Sequence, residues 1–147
     1  MKYNYKTINI YIDEKNNVII IPTGISKKMK ANMNIDVVYE LSYPYDPKTL
    51  NEQINIALEK CFSKIPDENE KIGVIEKHRG VKSYSKATEG LKLVLFNWDD
   101  GVGYSFLPTE RKRGYNFLTK KTIKLGEEYT PEELFGAFNK ALESCII

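Results

Sequence analysis

The sequence has one histidine and two cysteines among 147 residues, and this scarcity limits the chemistry available to the protein. Zinc sites draw most of their ligands from histidine and cysteine, so most such sites are excluded. Two cysteines cannot form the disulfide framework of a small secreted protein, and a reducing cytoplasm fits them better. A Gly-x-x-x-x-Gly-Lys-Ser/Thr loop is also missing, so a P-loop nucleotide site has no support.

Long apolar runs are missing as well. The longest, residues 18–21, stops at Pro22 and is far shorter than the ~20 residues that cross a bilayer. The first six residues lack the apolar region of a secretion signal. We therefore expect a cytoplasmic protein that does not bind or span a membrane.

Basic and acidic residues are nearly balanced. Lysine and arginine number 22, aspartate and glutamate number 20, and the formal net charge is +2. Because a dedicated nucleic-acid-binding protein gains affinity from many phosphate contacts, this balance argues against that class. A chain of 147 residues has the length of one domain, and roughly two-thirds of its unfolded surface can be buried.

The sequence does contain an internal repeat. Residues 45–61 and 129–145 lie 84 positions apart and are identical at eight of seventeen positions. Such self-similarity at a fixed spacing indicates duplicated structural units. The identical residues of the first copy are Tyr45, Pro47, Leu50, Asn55, Ala57, Leu58, Glu59 and Cys61.

Both copies carry the signals of a helix. Asp46 and Thr130 are residue types that cap free backbone N–H groups, and a proline follows each of them at the first helical position. Glu133 completes a capping box with Thr130. Apolar residues then recur at helical spacing and predict one buried face per helix. These residues are Leu50, Ile54, Ala57, Leu58, Cys61 and Phe62, and in the second copy Leu134, Phe138, Ala141, Leu142, Cys145 and Ile146.

Three strands are predicted before each helix. They cover residues 7–12, 18–21 and 36–41 in the first half, and 91–98, 103–107 and 122–125 in the second. An Asp-Gly pair between apolar runs, as at Asp100 and Gly101, is a strong hairpin signal. We therefore predict an α+β fold in which duplicated βββα units share one mostly antiparallel sheet of about six strands, with helices packed on it.

The chain is expected to form a single domain over residues 1–147. Its two units would occupy residues 5–62 and 89–146, and residues 63–88 would form a bridge between them. Within the bridge, a helix is predicted at 70–78, after a cap at Asp67 and before Gly80. A second short helix is predicted at 83–89, capped by Ser83 and stopped by Gly90.

Few residues are suited to catalysis. Histidine is the side-chain type most often used as a general base, and His78 could act as one with Glu76 or Lys77. It lies in a charged run with no nucleophile at a diagnostic spacing, which favours a solvated helix end. Cys61 and Cys145 belong to the apolar stripes and are predicted to be small buried hydrophobes. We therefore assign no catalytic, cofactor-binding or metal-binding residue and expect a protein that is not an enzyme.

A basic and aromatic segment offers an alternative function. It comprises residues 110–117 and is followed by Lys120, Lys121 and Lys124. Its basic side chains could contact phosphates while Tyr115 or Phe117 stacks on a base. The same residues also fit a hairpin loop beside a half-buried strand. A small nucleic-acid-binding domain using residues 111–124 is therefore the alternative, although the balanced charge of the whole chain argues against it.

Acidic residues cluster at the tip of the second predicted hairpin, beside two aromatic residues, and again as glutamates before the second repeated helix. Negative charge before a helix also stabilises the helix N-terminus, which is the simpler explanation for the glutamates among them. A charged hairpin tip with an aromatic anchor is typical of a protein interface. The predicted partner-binding residues are Trp98, Asp99, Asp100, Tyr104, Glu127 and Glu128.

The order of motifs over about the last 75 residues resembles the immunity proteins of contact-dependent growth inhibition systems and related bacterial polymorphic toxins. The first half matches only through its copy of the repeated helix. The segments that carry the resemblance are Glu76-Lys77-His78-Arg79-Gly80-Val81-Lys82-Ser83-Tyr84, Trp98-Asp99-Asp100, Gly103-Tyr104, Pro108-Thr109, Ile123-Lys124-Leu125-Gly126 and Pro131-Glu132-Glu133-Leu134, followed by Ala137, Ala141 and Leu142.

This resemblance implies an antitoxin-like function. Such an immunity protein binds the C-terminal domain of a toxin, often a nuclease, and blocks it by protein–protein interaction rather than by catalysis. Inhibitors of basic nucleases are commonly acidic, whereas this chain carries a net charge of +2. Inhibition would therefore use a local acidic patch, or act on a toxin that is not strongly basic.

Overall fold

The computed structural model describes residues 3–147. It confirms the α+β class, with one antiparallel sheet and helices packed on it. In chain order the elements are β1 (Tyr5–Ile12), β2 (Val18–Ile25), β3 (Asn32–Asn34), β4 (Tyr39–Leu41), α1 (Pro47–Lys60), α2 (Val74–Arg79), α3 (Tyr84–Ala87), β5 (Lys92–Asp99), β6 (Gly103–Arg111), β7 (Tyr115–Phe117), a short 3-10 helix (Thr119–Lys121), β8 (Ile123–Gly126) and α4 (Pro131–Ser144).

The strand order relates the two halves. The sheet runs β3-β2-β1-β5-β6-β7, while β4 also pairs with β2 and β8 with β6. The central strands β1 and β5 are antiparallel, with Asn9 opposite Leu95. Each element of the first half therefore has an equivalent in the second, from β1 and β5 outward to β4 and β8. The equivalents are related by a pseudo-two-fold axis between Asn9 and Leu95.

Helices α1 and α4 cover one face of the sheet, and their predicted caps are confirmed. The Asp46 carboxylate accepts the Thr49 N–H at 2.7 Å, and Thr130 and Glu133 form the reciprocal capping box. The apolar stripes of both helices pack with the inward side chains of the central strands into one core. This shared core includes Ile8, Ile10, Leu50, Ile54, Val94, Phe96, Phe106, Leu134 and Phe138.

Each half fastens the end of its helix to the sheet in the same way. The hydroxyl of Thr23 and the thiol of Cys61 both donate to the carbonyl of Thr7, at 2.6 and 3.4 Å. Thr109 and Cys145 donate to the equivalent carbonyl of β5, at 2.6 and 3.5 Å. Both cysteines are buried, as predicted, and burial raises the pKa of each thiol.

Several predicted boundaries are wrong. The strand expected at 36–41 covers only Tyr39–Leu41, because the chain turns where the Val37 N–H donates to the Ile35 carbonyl at 2.8 Å. The helices end at Lys60 and Ser144, and the buried stripes end at the C-cap residues Cys61 and Cys145. Phe62 and Ile146 lie beyond the helices, and Ile146 is 46% exposed instead of buried.

The bridge helices are shorter than predicted. Helix α2 begins after Gly73 rather than Asp67, because the Asp67 carboxylate caps a local turn by accepting the Asn69 N–H at 3.0 Å. Ser83 caps α3 as predicted, by accepting the Lys86 N–H at 3.1 Å. Together α2 and α3 cover part of the second face of the sheet, where a smaller apolar cluster forms around Tyr11, Ile21, Ile75, Ala87, Leu91, Leu93 and Leu95.

Candidate functional site

The predicted partner-binding residues lie together at the end of the sheet formed by the β5–β6 hairpin. Trp98 and Tyr104 are opposite each other on β5 and β6, and Tyr104 is also paired with Gly126 on β8. Gly103 has a φ of +113°, and a Cβ added there would lie 2.2 Å from the carbonyl carbon of Gly126. This close backbone contact brings the hairpin beside the segment that carries Glu127.

The aromatic side chains at this end are held by one another. The Tyr104 ring stacks on Phe96 with centroids 5.6 Å apart, and meets the edge of Tyr129 at 5.1 Å. The Lys6 ammonium lies 6.0 Å from the centre of the Trp98 ring, within range of a cation–π interaction. The aromatic surface is therefore preorganised rather than assembled on binding.

Trp98 and Tyr104 line a groove of about 400 Å³ between the sheet and α1, which we term the tip groove. Its other lining residues are Lys6, Asn55, Leu58 and Glu59. Four exposed carboxylates belong to the adjacent backbone: Asp99, Asp100, Glu127 and Glu128. The structure thus places all six predicted residues at the same end of the sheet, with the two aromatic rings in the tip groove. The four carboxylates, which we term the acidic rim, lie on the hairpin and on the segment after β8, and that of Asp99 leaves the opposite face of β5 from Trp98.

The opposite end of the sheet has the same backbone and a different surface. The polar and aliphatic lining of the tip groove is repeated there, as Lys92, Asn139, Leu142 and Glu143. The two aromatic positions are instead Ile12 and Val18, each only 1% exposed. The Lys92 ammonium donates to the Leu142 carbonyl at 3.0 Å, so the lysine binds a helix end rather than an aromatic ring.

A second cleft, of about 480 Å³, lies on the other face of the sheet at the pseudo-two-fold axis. We term it the axial cleft. Asn9 and Tyr11 of β1 line it together with β3, β7 and α2. The Asn9 amide donates to Asn34 Oδ1 at 2.6 Å, and the hydroxyls of Tyr11 and Tyr84 are 3.0 Å apart.

The phenols of the axial cleft are uncharged. Burial raises the pKa of Tyr11 and of Tyr84, and raises that of Tyr115 to about 12. We did not predict this cleft from the sequence. Its signal is Asn9 at the centre of an apolar strand, since asparagine is depleted in strands.

The basic and aromatic segment is partly used to hold the bridge. The Arg111 guanidinium donates to the Ser85 carbonyl at 2.8 Å and to Thr88 Oγ1 at 3.1 Å. The Tyr115 hydroxyl donates to the Leu91 carbonyl at 2.7 Å. The exposed members of the segment are Lys112, Arg113, Phe117, Lys120, Lys121 and Lys124.

His78 is not paired with the groups considered for it. Its Nε2 lies 2.6 Å from Glu40 Oε1, on an exposed edge of the molecule. Glu76 is buried instead, and accepts the Gly73 N–H at 2.9 Å. No cluster of three or more His, Cys, Asp or Glu side chains within residues 3–147 could hold a metal ion. None of the helices in that range combines the length and apolarity needed to cross a membrane.

These features define a duplicated α+β domain with one aromatic and acidic surface and one polar cleft. No protein family model matches the sequence, and the curated proteins contain no match. A solved structure described as a protein of unknown function, NMB0488 from Neisseria meningitidis, has a similar fold, with a TM-score of 0.73. The alignment covers 99% of each chain at 14% sequence identity, which establishes a shared fold and nothing about function.

Proposed function

We propose that this protein is a bacterial immunity protein, which binds a cognate toxin domain of a contact-dependent growth inhibition system in the cytoplasm and neutralises it. The toxin would be a nuclease, and the immunity protein would perform no reaction of its own. The observation that carries the proposal is the difference between the two ends of the sheet. Equivalent positions hold Trp98 and Tyr104 at one end, but Ile12 and Val18 in the core at the other.

The fold itself does not require the aromatic surface. Because the same backbone at the opposite end is completed by buried isoleucine and valine, aliphatic side chains satisfy the packing at these positions. Aromatic residues at the centre of a polar patch are instead the commonest hot spots of protein interfaces. The four carboxylates beside the tip groove would attract a basic partner and determine its orientation.

A local acidic rim is compatible with the slightly positive net charge of the chain. A net charge of +2 is unfavourable for a protein that attracts a basic nuclease over its whole surface. A small acidic surface is sufficient for contacts inside the interface, since charges farther away than ~8 Å are largely screened at physiological salt. The proposal therefore places the toxin on the tip groove and its rim.

The first test is co-expression with the toxin encoded immediately upstream. We expect the protein to restore growth and to co-elute with the toxin domain on gel filtration. Failure to restore growth, together with the absence of a complex, would refute the proposal. Sequencing the neighbouring gene identifies the toxin domain to be used.

The position of the interface is tested with a matched pair of charge reversals. Asp100 and Glu14 occupy equivalent exposed positions of the two hairpin tips, at opposite ends of the sheet. Asp100→Lys is expected to weaken toxin binding by about 10-fold or more, and Glu14→Lys to leave it unchanged. Equal effects of the two substitutions on the dissociation constant would place the toxin elsewhere.

A nucleic-acid-binding domain is the second candidate. It is favoured by the exposed basic side chains around β7, which include Lys112, Arg113 and Lys120, beside the 58% exposed ring of Phe117. This function predicts binding to random single-stranded nucleic acid that weakens as salt is raised. Lack of binding at low salt would remove this candidate without affecting the first.

A further inference from the structure

The two short strands that form the walls of the axial cleft are equivalent in the fold but different in chemistry. Asn34 on β3 is opposite Thr23, and Phe117 on β7 is opposite the equivalent Thr109. One wall therefore carries side-chain amides, and the other carries aromatic rings. The backbone of the two walls is equivalent, so the fold alone does not determine which set of side chains each wall carries.

Packing explains Tyr115, which contacts Tyr11 and Tyr84, but does not explain the second ring of the aromatic wall, Phe117. Phe117 lines the cleft and is 58% exposed, although a phenylalanine of the core would be covered. On the opposite side, the amide oxygen of Asn9 has no hydrogen-bonding partner within residues 3–147, while its amide nitrogen donates to Asn34. The cleft thus contains both the exposed ring of Phe117 and an Asn9 amide oxygen that can accept a hydrogen bond from a ligand.

The charge of the cleft disfavours anions. Four carboxylates and two lysines line it: Asp36, Asp67, Glu70, Glu76, Lys64 and Lys77. The Lys77 ammonium is paired with the Glu70 carboxylate at 3.3 Å, and that of Lys64 donates to the Asp36 carbonyl at 3.2 Å. A phosphate would therefore meet net negative charge and lysines that already have partners.

We propose that the axial cleft binds an uncharged nucleobase, either of a free nucleoside or of an unpaired base. The volume of about 480 Å³ is that of a small-molecule site. A base has a flat face that stacks on a phenyl ring, and donors and acceptors along its edge that match asparagine amides. This site is separate from the tip groove, and the inference goes beyond the proposed immunity function.

The test is calorimetric titration of the full chain with adenosine, guanosine, cytidine and uridine, with their monophosphates, and with short single-stranded RNA. At least one nucleoside is expected to bind, more tightly than its monophosphate. Tighter binding of RNA would identify an unpaired base as the source, and weaker binding a free nucleoside. Absence of binding by every nucleoside and every RNA would overturn the proposal.

Two substitutions locate the ligand. Phe117→Ala removes the stacking surface and is expected to weaken binding by about 5-fold or more. Asn9→Leu introduces the residue that stands at the equivalent position of β5, Leu95, and is expected to weaken binding by about 3- to 10-fold. Unchanged affinity in both variants would mean that the nucleoside binds elsewhere, and would overturn the assignment of this cleft.

Controls separate this result from loss of folding and from the toxin interface. Met29→Ala removes an apolar side chain that is 68% exposed, against 58% for Phe117, and that does not line the cleft, so it is expected to leave the affinity unchanged. The thermal midpoint of each variant reports whether it folds. Asp100→Lys, which is designed to weaken toxin binding, is expected to leave nucleoside binding intact, so the two proposals fail independently.

Discussion

The two halves of the molecule agree where the chain is buried and differ where it is exposed. Both halves tie the end of the long helix to the sheet through a threonine hydroxyl and a cysteine thiol that donate to one strand carbonyl. These contacts are part-buried in the first half and buried in the second, and losing a partner from a buried hydrogen bond costs about 1–3 kcal/mol. The shared residues therefore belong to the part of the sequence that stabilises the fold.

The differences fall on two surfaces. At the two ends of the sheet, the partly exposed aromatic residues Trp98 and Tyr104 are equivalent to the buried Ile12 and Val18. In the axial cleft, Phe117 is equivalent to Asn34. Because each alternative is accepted by the same backbone, packing alone does not determine which one is present. The comparison of the halves thus separates residues that stabilise the fold from residues available for recognition.

The largest effect is expected where the two halves are most alike. Leu50 and Leu134 are equivalent, identical and fully buried on α1 and α4. Leu50→Ala and Leu134→Ala should each lower the free energy of unfolding by about 2–5 kcal/mol, because each leaves a cavity in the same core. Urea denaturation followed by circular dichroism measures both effects.

The number of steps in the urea unfolding curve tests whether the two halves form a single domain. If both halves share one core, either variant should unfold in a single cooperative step. Two separate steps, with each substitution shifting only one of them, would contradict the prediction of a single domain. Ile56→Ala, which shortens a 40% exposed side chain of α1, is the control and should change stability by less than ~1 kcal/mol.

A smaller effect is expected at the β5–β6 hairpin. Gly103 and Gly80 both have a positive φ, but only at Gly103 would an added Cβ collide with another backbone segment, at Gly126. Gly80→Ala should destabilise the protein by about 1 kcal/mol through backbone strain alone. Gly103→Ala should cost more and should also displace Glu127. If the protein has the proposed immunity function, Gly103→Ala should therefore weaken binding of the toxin domain, whereas Gly80→Ala should not.

Similar destabilisation by both alanines would show that the hairpin moves away from Gly126 at little cost. Urea denaturation provides the stability of each variant, and gel filtration with the toxin domain provides the second readout. Toxin binding that survives Gly103→Ala unchanged would argue that Glu127 is not part of the interface.

The parts of the fold that depend on local signals could be predicted from the sequence. The caps at Asp46 and Thr130, the Asp-Gly turn and the apolar stripes each act over a few residues, and all are confirmed except for the last position of each stripe, Phe62 and Ile146. The proximity of Trp98, Asp100 and Tyr104 also follows from the hairpin, which brings its two strands together whatever the rest of the chain does. The position of Glu127 beside them depends on the pairing of β6 with β8, which the hairpin signal does not predict.

The structure of the second face of the sheet could not be predicted from such local signals. The axial cleft forms because the edge strands β3 and β7, far apart in sequence, line a common space with the bridge. Strands of three residues are too short to show a two-residue alternation, so neither β3 nor β7 is predicted, although each pairs with the strand that precedes it in the chain. The partner of His78 was missed because Glu40 is 38 residues away.

The smallest effect concerns the two equivalent tyrosines that precede the repeated helices. Burial raises the pKa of Tyr45 and of Tyr129 to about 12, from an ordinary value of 10.0. The folded protein therefore favours the neutral phenol. The stabilisation that this provides is complete below pH 10 and is lost as the pH rises through 12. Unfolding midpoints in urea should fall across that interval.

Replacing both tyrosines tests whether the halves respond alike. Tyr45→Phe and Tyr129→Phe keep the rings and remove the ionising group, so the alkaline loss should shrink in each variant and shrink further in the double variant. Tyr129 also meets the Tyr104 ring, which makes its ionisation harder still, and Tyr43 acts on Tyr45 in the same direction. If the double variant loses as much stability between pH 10 and 12 as the unsubstituted protein, the loss arises from other tyrosines. Those with a raised pKa are Tyr11, Tyr84 and Tyr115 in the axial cleft.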